Sequence, residues 1–282
     1  MASSGSTTDG VRRIAAAFSD ARSQSRAAII PYVTLGYPTV DSSVALAEAA
    51  VAGGADILEL GVPFSDPLAD GPVIQRATHV ALQQGLTVAK CLELAARLRM
   101  RQIVIPFIFM GYYNPILAFG EGRFCRACRD AGVDGLIVPD LPPEEAENLE
   151  RFCEENGLAL IYLLAPTSTP ERIQLVTQRA RGFVYLVSVT GTTGTRNRLP
   201  PDLGAFVSRV RAVTDKPIAV GFGISSPDQA REVAAKADGV VVGSAVVRLA
   251  EKPDGVRRIR EFVSALRSAA EKGSGESAGT LT

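Results

Sequence analysis

The chain has 282 residues, 46% of them hydrophobic, and its 30 basic and 30 acidic side chains cancel. The absence of net charge excludes a global pull toward nucleic acid or an anionic membrane, so an anionic ligand must be held by a local site. No apolar run approaches the ~20 residues that span a bilayer, and the N-terminal MASSGSTTDGVRR lacks the apolar core of a secretory signal.

Scarcity narrows the chemistry further. There is one histidine, His79, no tryptophan, and five lysines: Lys90, Lys216, Lys236, Lys252 and Lys272. The four cysteines, Cys91, Cys125, Cys128 and Cys153, fit a reduced chain too large to need disulfide staples. The expectation is a cytosolic protein with neither nucleic acid nor membrane among its partners.

Taken in order, a helix over 10–23 is expected to cap one end of the fold. Apolar runs at 29–34, 56–60, 104–109, 135–138, 159–164, 183–187, 217–220 and 239–242 then read as strands. Several are apolar on consecutive residues, as at Leu136, Ile137 and Val138, the pattern of parallel strands buried on both faces. Helical patterns at 42–52, 73–84, 88–99, 144–156, 170–179, 203–213 and 227–237 alternate with them. Their starts carry suitable chemistry: Asp140-Leu-Pro-Pro-Glu-Glu in one case and Ser226-Pro227-Asp228 in another. Eight strands in this alternation close most economically into a (β/α)8 barrel of the TIM type with an extra N-terminal helix, a doubly wound open sheet being the competitor. The length is slightly above the ~250 residues typical of one such barrel. No interior linker is visible, so one domain is expected over 1–282, ordered from about residue 10 to about 271, with 272–282 a polar tail.

The most informative segment runs from Asp56 to Gly71. Glu59 falls inside an apolar strand near its C-terminal end, where a charge is costly without a purpose and where barrel enzymes place their active face. A carboxylate tied to a backbone donor or an arginine is the alternative. Asp66 and Asp70 follow in a loop punctuated by Pro63, Pro67 and Gly71. Aspartates in turns commonly bond their own backbone, the reading adopted for Asp66 and open at this point for Asp70.

Anion-binding signals follow at later strand ends. Ser188-Val-Thr-Gly-Thr-Thr-Gly-Thr-Arg196 comes after strand six, Gly221-Phe-Gly-Ile-Ser225 after strand seven, and Gly243-Ser244 opens a short helix after strand eight. Glycines allow close backbone approach and helix-start N–H groups face an anion. Tyr112 and Tyr113 follow strand three, where either lines a pocket or simply packs a turn. Cys125-Arg-Ala-Cys128 has the spacing of half a zinc site without a second ligand pair, so no metal is expected. His79 is read as structural.

LELGVPFSDPLADG at 58–71 closely resembles the signature of the tryptophan synthase alpha subunits. Further matches are PYVTLGYPT at 31–39, MGYYNPIL at 110–117, GLIVPDLPPEE at 135–145, the threonine-glycine loop at 190–195, GFGIS at 221–225 and VGSAVV at 242–247. The resemblance implies retro-aldol cleavage of indole-3-glycerol phosphate to indole and glyceraldehyde 3-phosphate. It assigns Glu59 as the acid–base residue and Asp70 as acceptor of the indole N–H. It places Tyr185 in the pocket, where Tyr112 is a further candidate from its position after strand three, Thr193 and Gly194 in a loop closing over substrate, and Gly223, Gly243 and Ser244 at the phosphate. The loop is richer in threonine than the family pattern. An α2β2 complex is implied, with pyridoxal phosphate carried by the beta subunit and no cofactor in this chain. The shortages agree: no lysine falls at the C-terminal end of a strand for a Schiff base, and one histidine cannot build a metal-dependent aldolase. The competing readings are a stand-alone lyase releasing free indole, a silent barrel that only activates a partner, and another phosphate-binding barrel isomerase.

Overall fold

The computed structural model describes residues 9–187, 199–221 and 223–271. Eight parallel strands close on themselves, β1 (Ala28–Thr34), β2 (Leu58–Gly61), β3 (Phe107–Met110), β4 (Gly135–Ile137), β5 (Ala159–Leu164), β6 (Val184–Val187), β7 (Ile218–Gly221) and β8 (Gly239–Val242), with β8 paired to β1. Among the described residues the helices are α1 (Gly10–Ser23), α2 (Val40–Ala52), α3 (Pro72–Gln83), α4 (Val88–Met100), α5 (Tyr113–Phe119) and α6 (Glu121–Asp130). They continue with α7 (Glu147–Glu155), α8 (Pro170–Arg179), α9 (Leu203–Arg211), α10 (Pro227–Ala234), α11 (Ser244–Ala250) and α12 (Gly255–Ala269). The barrel expected from the alternation is therefore present, and the open doubly wound sheet is not.

Local chemistry explains most boundaries. Ser226 Oγ accepts from Gln229 N–H and Pro227 opens α10, while Thr169 does the same for Arg172 ahead of Pro170 and α8. Strand three starts at Phe107, three residues later than expected, because Pro106 lacks an N–H for the ladder and Val104 is 77% exposed. Strand two starts at Leu58 rather than at 56, since Asp56 spends its side chain on a neighbouring strand instead. The helix expected over 144–156 is split into a 3-10 turn at Pro143–Glu145 and α7.

Helix α1 lies across the amino-terminal end of the barrel, burying Ile14, Phe18 and Ala21. Phe18 packs at a tilt against Phe183, just before β6, with ring centroids 5.4 Å apart, and presses on Gly239 at the start of β8. Each such aromatic or aliphatic burial is worth about 1.5–3 kcal/mol, so α1 is a floor rather than an appendage.

The same end carries a repeated device. Asp56, Asp134 and Asp238 stand just before β2, β4 and β8. Each donates its backbone N–H to a carbonyl of the preceding odd strand (Ile29, Phe107, Ile218) and takes the N–H of that same residue on its carboxylate, at 2.8, 2.7 and 2.9 Å. Two arginines close on each carboxylate: Arg26 and Arg267 on Asp56, Arg13 and Arg99 on Asp134, Arg22 and Arg211 on Asp238. The aspartate thus replaces the missing rung of the ladder where strands begin, satisfying a buried amide that would otherwise cost ~1–3 kcal/mol.

Candidate active site

At the opposite, carboxyl-terminal end, Glu59 is the second residue of β2, in register with Tyr32 on β1 and Ile108 on β3. It is 2% exposed. Asp70 stands 6% exposed at the end of the loop after β2, just ahead of the Pro72 that opens α3. The loop is held from inside: Tyr112 Oη donates to Asp70 Oδ2 at 3.1 Å and accepts from Ala69 N–H at 3.0 Å, while Gln75 Nε2 donates to the Asp70 carbonyl at 2.9 Å. Tyr112, the residue before α5, therefore sits behind Asp70, and Phe64 covers it with ring centroids 5.4 Å apart.

Glu59, Asp70, Tyr185, Gly223, Gly243 and Ser244 line one cavity. Sequence reasoning passed over the rest of its wall, Tyr32, Ile74, Met110 and Val241. Tyr32 carried a usable signal, being the strand partner of Glu59. Gly61 and Gly221 end β2 and β7 where any Cβ would strike the hydroxyls of Tyr32 and Tyr185, so these two glycines make room for the two phenols. The cavity measures about 30 Å³, space for a water or two.

Electrostatically the two carboxylates differ. Burial pushes Glu59 up to about 8, with the charge of Asp70 adding to it. Burial also raises Asp70, to about 6, against the stabilising hydrogen bond from Tyr112. Neither forms an ion pair among the described residues. At neutral pH the pair therefore holds one proton, on Glu59, and one charge, on Asp70. The site can both deliver a proton and stabilise a positive charge.

The other residues singled out in the sequence fall elsewhere. Thr193 and Gly194 lie outside the described residues. Asp66 and His79 are exposed, His79 bonding only Gln83 on its own helix at 2.9 Å. Cys125 and Cys128 are buried on α6, with Cys125 Sγ 4.0 Å from Cys153 Sγ, and no metal-holding cluster exists among the described residues. Lys216 lies before β7, its Nζ donating to the carbonyl of Gln178 at 3.3 Å, far from the carboxylates.

A parallel barrel whose carboxyl-terminal end presents two buried carboxylates without a cation among the described residues has the layout of an acid–base barrel enzyme. The family model of the tryptophan synthase alpha chain matches residues 18–273, and the chain belongs to that family. The alpha chain of Dehalococcoides mccartyi is 49% identical over 244 residues, covering 86% of this chain and 95% of that one. The tryptophan synthase of Saccharomyces cerevisiae is 45% identical over 258 residues, 90% of this chain but 36% of the yeast protein. Among solved structures, Mycobacterium tuberculosis tryptophan synthase superposes with a TM-score of 0.87 at 41% identity, covering 93% of this chain and 99% of that chain. These likenesses favour the synthase subunit over a stand-alone lyase, a silent barrel or an isomerase.

Proposed function

We propose that this chain cleaves indole-3-glycerol phosphate through Glu59 and Asp70, as the alpha subunit of an α2β2 tryptophan synthase. The observation that carries the residue roles is that two buried carboxylates without a cation among the described residues face one cavity, burial raising Glu59 further than Asp70. Glu59 gives its proton to indole C3, and the ring becomes an indoleninium cation whose N–H donates to the Asp70 carboxylate. The bond from C3 to the glycerol carbon then breaks as Glu59, now ionised, takes the proton of that carbon's hydroxyl. The electron pair of the broken bond returns to the ring as the C2–C3 double bond and cancels the cation. Indole and glyceraldehyde 3-phosphate result, and Glu59 ends protonated as it began. One group serving both proton transfers suits a pKa near the working pH.

The phosphate is placed against Gly223, Gly243 and Ser244, and Thr193 with Gly194 is assigned to the loop that closes over it. Tyr185 and Tyr32 flank the indole, and Tyr112 acts through Asp70. The family's alpha chain needs no cofactor, pyridoxal phosphate belonging to the beta subunit. Leu68, 87% exposed beside Phe64 and Pro67, gives the Asp70 loop an outward apolar face on which that subunit would dock. Docking there would bias the loop toward its working geometry and, by linkage, substrate would tighten the subunit contact equally. We place the protein in the cytoplasm and treat it as one domain; no helix among the described residues is long and apolar enough to cross a membrane. The test is Glu59→Gln, assayed for indole release with and without the beta subunit. Loss of about 10²–10⁴-fold in kcat with substrate still bound is expected; retention of a tenth of the rate would remove Glu59 from the role.

A further inference from the structure

The aspartate device at the amino-terminal end recurs before β2, β4 and β8, and the remaining even strand, β6, breaks it. Arg181 donates its backbone N–H to the Leu160 carbonyl at 2.9 Å, as Asp56, Asp134 and Asp238 do to theirs. The sequences align: Arg181-Gly-Phe-Val matches Asp134-Gly-Leu-Ile and Asp238-Gly-Val-Val. An arginine therefore occupies the aspartate's place. N–H and C=O of one strand residue point to the same side, so the Leu160 N–H faces this gap with no carboxylate opposite it among the described residues.

The charge at the neighbouring helix end is reversed as well. Arg99 and Arg211 reach their aspartates from the last turns of α4 and α9, whereas the last turn of α7 offers Glu154. Glu154 and Arg181 stand 3.8 Å apart with side chains 79% and 63% exposed, a contact worth little and easily rearranged. Beside this gap lies a cavity of about 430 Å³ lined by Arg181 and Leu160, far larger than the one beside Glu59.

We propose that this cavity binds a small α-amino acid with an apolar side chain, whose carboxylate takes the aspartate's place between the Leu160 N–H and the Arg181 guanidinium. Asp9, Glu150 and Glu154 stand on the cavity wall. Arg179 is already engaged by Glu150, at 2.8 and 3.1 Å, leaving Arg181 as the cation able to turn inward. With Arg179 held by Glu150, Arg181 faces two further carboxylates, Glu154 and Asp9, the latter also paired with Arg12 at 3.2 Å. This surplus of carboxylate disfavours a phosphate dianion but suits a zwitterion, whose ammonium finds Glu154 or Asp9. Val11, Cys153, Leu158 and Leu160 supply an apolar surface for the side chain.

The experiment uses the full chain labelled with 15N-leucine, titrated with L-leucine, acetate and inorganic phosphate in turn. The Leu160 amide resonance is assigned by its absence in Leu160→Ile. L-leucine is expected to move that resonance saturably and to raise Tm, with acetate and phosphate much weaker. In Arg181→Asp, which restores an internal carboxylate, the shift should vanish while indole formation is unchanged. Val11→Trp, filling the cavity from α1, should abolish the shift as well and serves if Arg181→Asp does not fold. A motionless Leu160 resonance, equal response to acetate or phosphate, or undiminished binding in either variant would overturn the proposal.

Discussion

The two ends of the barrel bury the same kind of group and treat it oppositely. At the amino-terminal end Asp56, Asp134 and Asp238 each receive a backbone N–H and two arginines. At the carboxyl-terminal end Glu59 and Asp70 are as deeply buried and have no cation among the described residues. Burial of a carboxylate is thus silent about its purpose, and its partners decide. Where arginines answer it, the group ties strands together. Where none does, its pKa floats toward neutrality and the fold bears the cost of keeping it available. Even among the paired aspartates the contest is close: burial raises Asp134 above its ordinary range, with Arg99, the Phe107 amide and Arg13 pulling it down.

Isosteric amide substitutions at the two ends should therefore have crossed effects. Glu59→Gln removes activity, as argued above, yet it should stabilise the fold. The folded state holds the Glu59 proton more tightly than the unfolded chain does, about 8 against an ordinary 4.5. Wild-type stability consequently falls as pH rises through that window, while below it there is no penalty. Glu59→Gln cannot ionise, so its gain over wild type should be near zero at the acid edge and grow to a few kcal/mol, roughly, at the alkaline edge. Denaturant unfolding of both proteins across the pH range measures it; a gain that shrank with rising pH would reverse the assignment. Asp134→Asn should do the opposite, losing about 3 kcal/mol as two arginines lose their counter-charge, with kcat of the folded protein unchanged. A fall in kcat at full folding would mean that the two ends are not separable.

Tyr112→Phe probes the catalytic end with a smaller effect. The Tyr112 hydroxyl stabilises the ionised form of Asp70, so its removal raises a pKa already near 6. In kcat/KM against pH the acid limb, set by ionisation of Asp70, should move to higher pH. The alkaline limb, set by loss of the Glu59 proton near 8, should stay. Activity then falls several-fold at the acid side, roughly the size of one hydrogen bond to a charged group, and little on the alkaline side. A uniform fall at every pH would make Tyr112 a substrate contact instead.

Much of this contrast was legible from residue order, and part was not. Glu59 stands out because a charge interrupts LELG within a strand, a local anomaly. Asp70 does not: a turn aspartate looks the same whether it bonds its own backbone or faces a cavity, and only the 58–71 motif separates them. The tie from Tyr112 joins residues 42 apart and leaves no periodic trace. The clasps were half visible, since Asp134-Gly and Asp238-Gly precede apolar runs. Their arginines come, Arg26 apart, from helices whose own patterns say nothing of where they reach. Strand boundaries slipped where a side chain overrode propensity, as at Asp56, or a proline delayed the ladder, as at Pro106.

The smallest expected effect separates two glycines that the sequence treats alike. Gly223 has φ +86 with nothing within 4 Å of where a Cβ would stand, whereas Gly243 has φ −102 and a Cβ there would touch Ile74 and Tyr32 at 3.6 and 3.7 Å. An L-residue at Gly223 meets no collision but must adopt a left-handed backbone, costing about 1 kcal/mol. At Gly243 the backbone lies outside the left-handed region and the added methyl meets ordinary van der Waals neighbours, so Gly243→Ala should leave stability level or slightly raised. Both methyls would stand at the cavity where the phosphate is placed, so both variants should weaken protection by glycerol 3-phosphate. Thermal unfolding with and without that ligand separates the two quantities: Gly223→Ala should lose intrinsic Tm and ligand shift together, and Gly243→Ala the ligand shift alone. If Gly243→Ala kept the full ligand shift, the phosphate would have to lie away from the start of α11. The strained backbone at Gly223 would then belong to the fold rather than to the site.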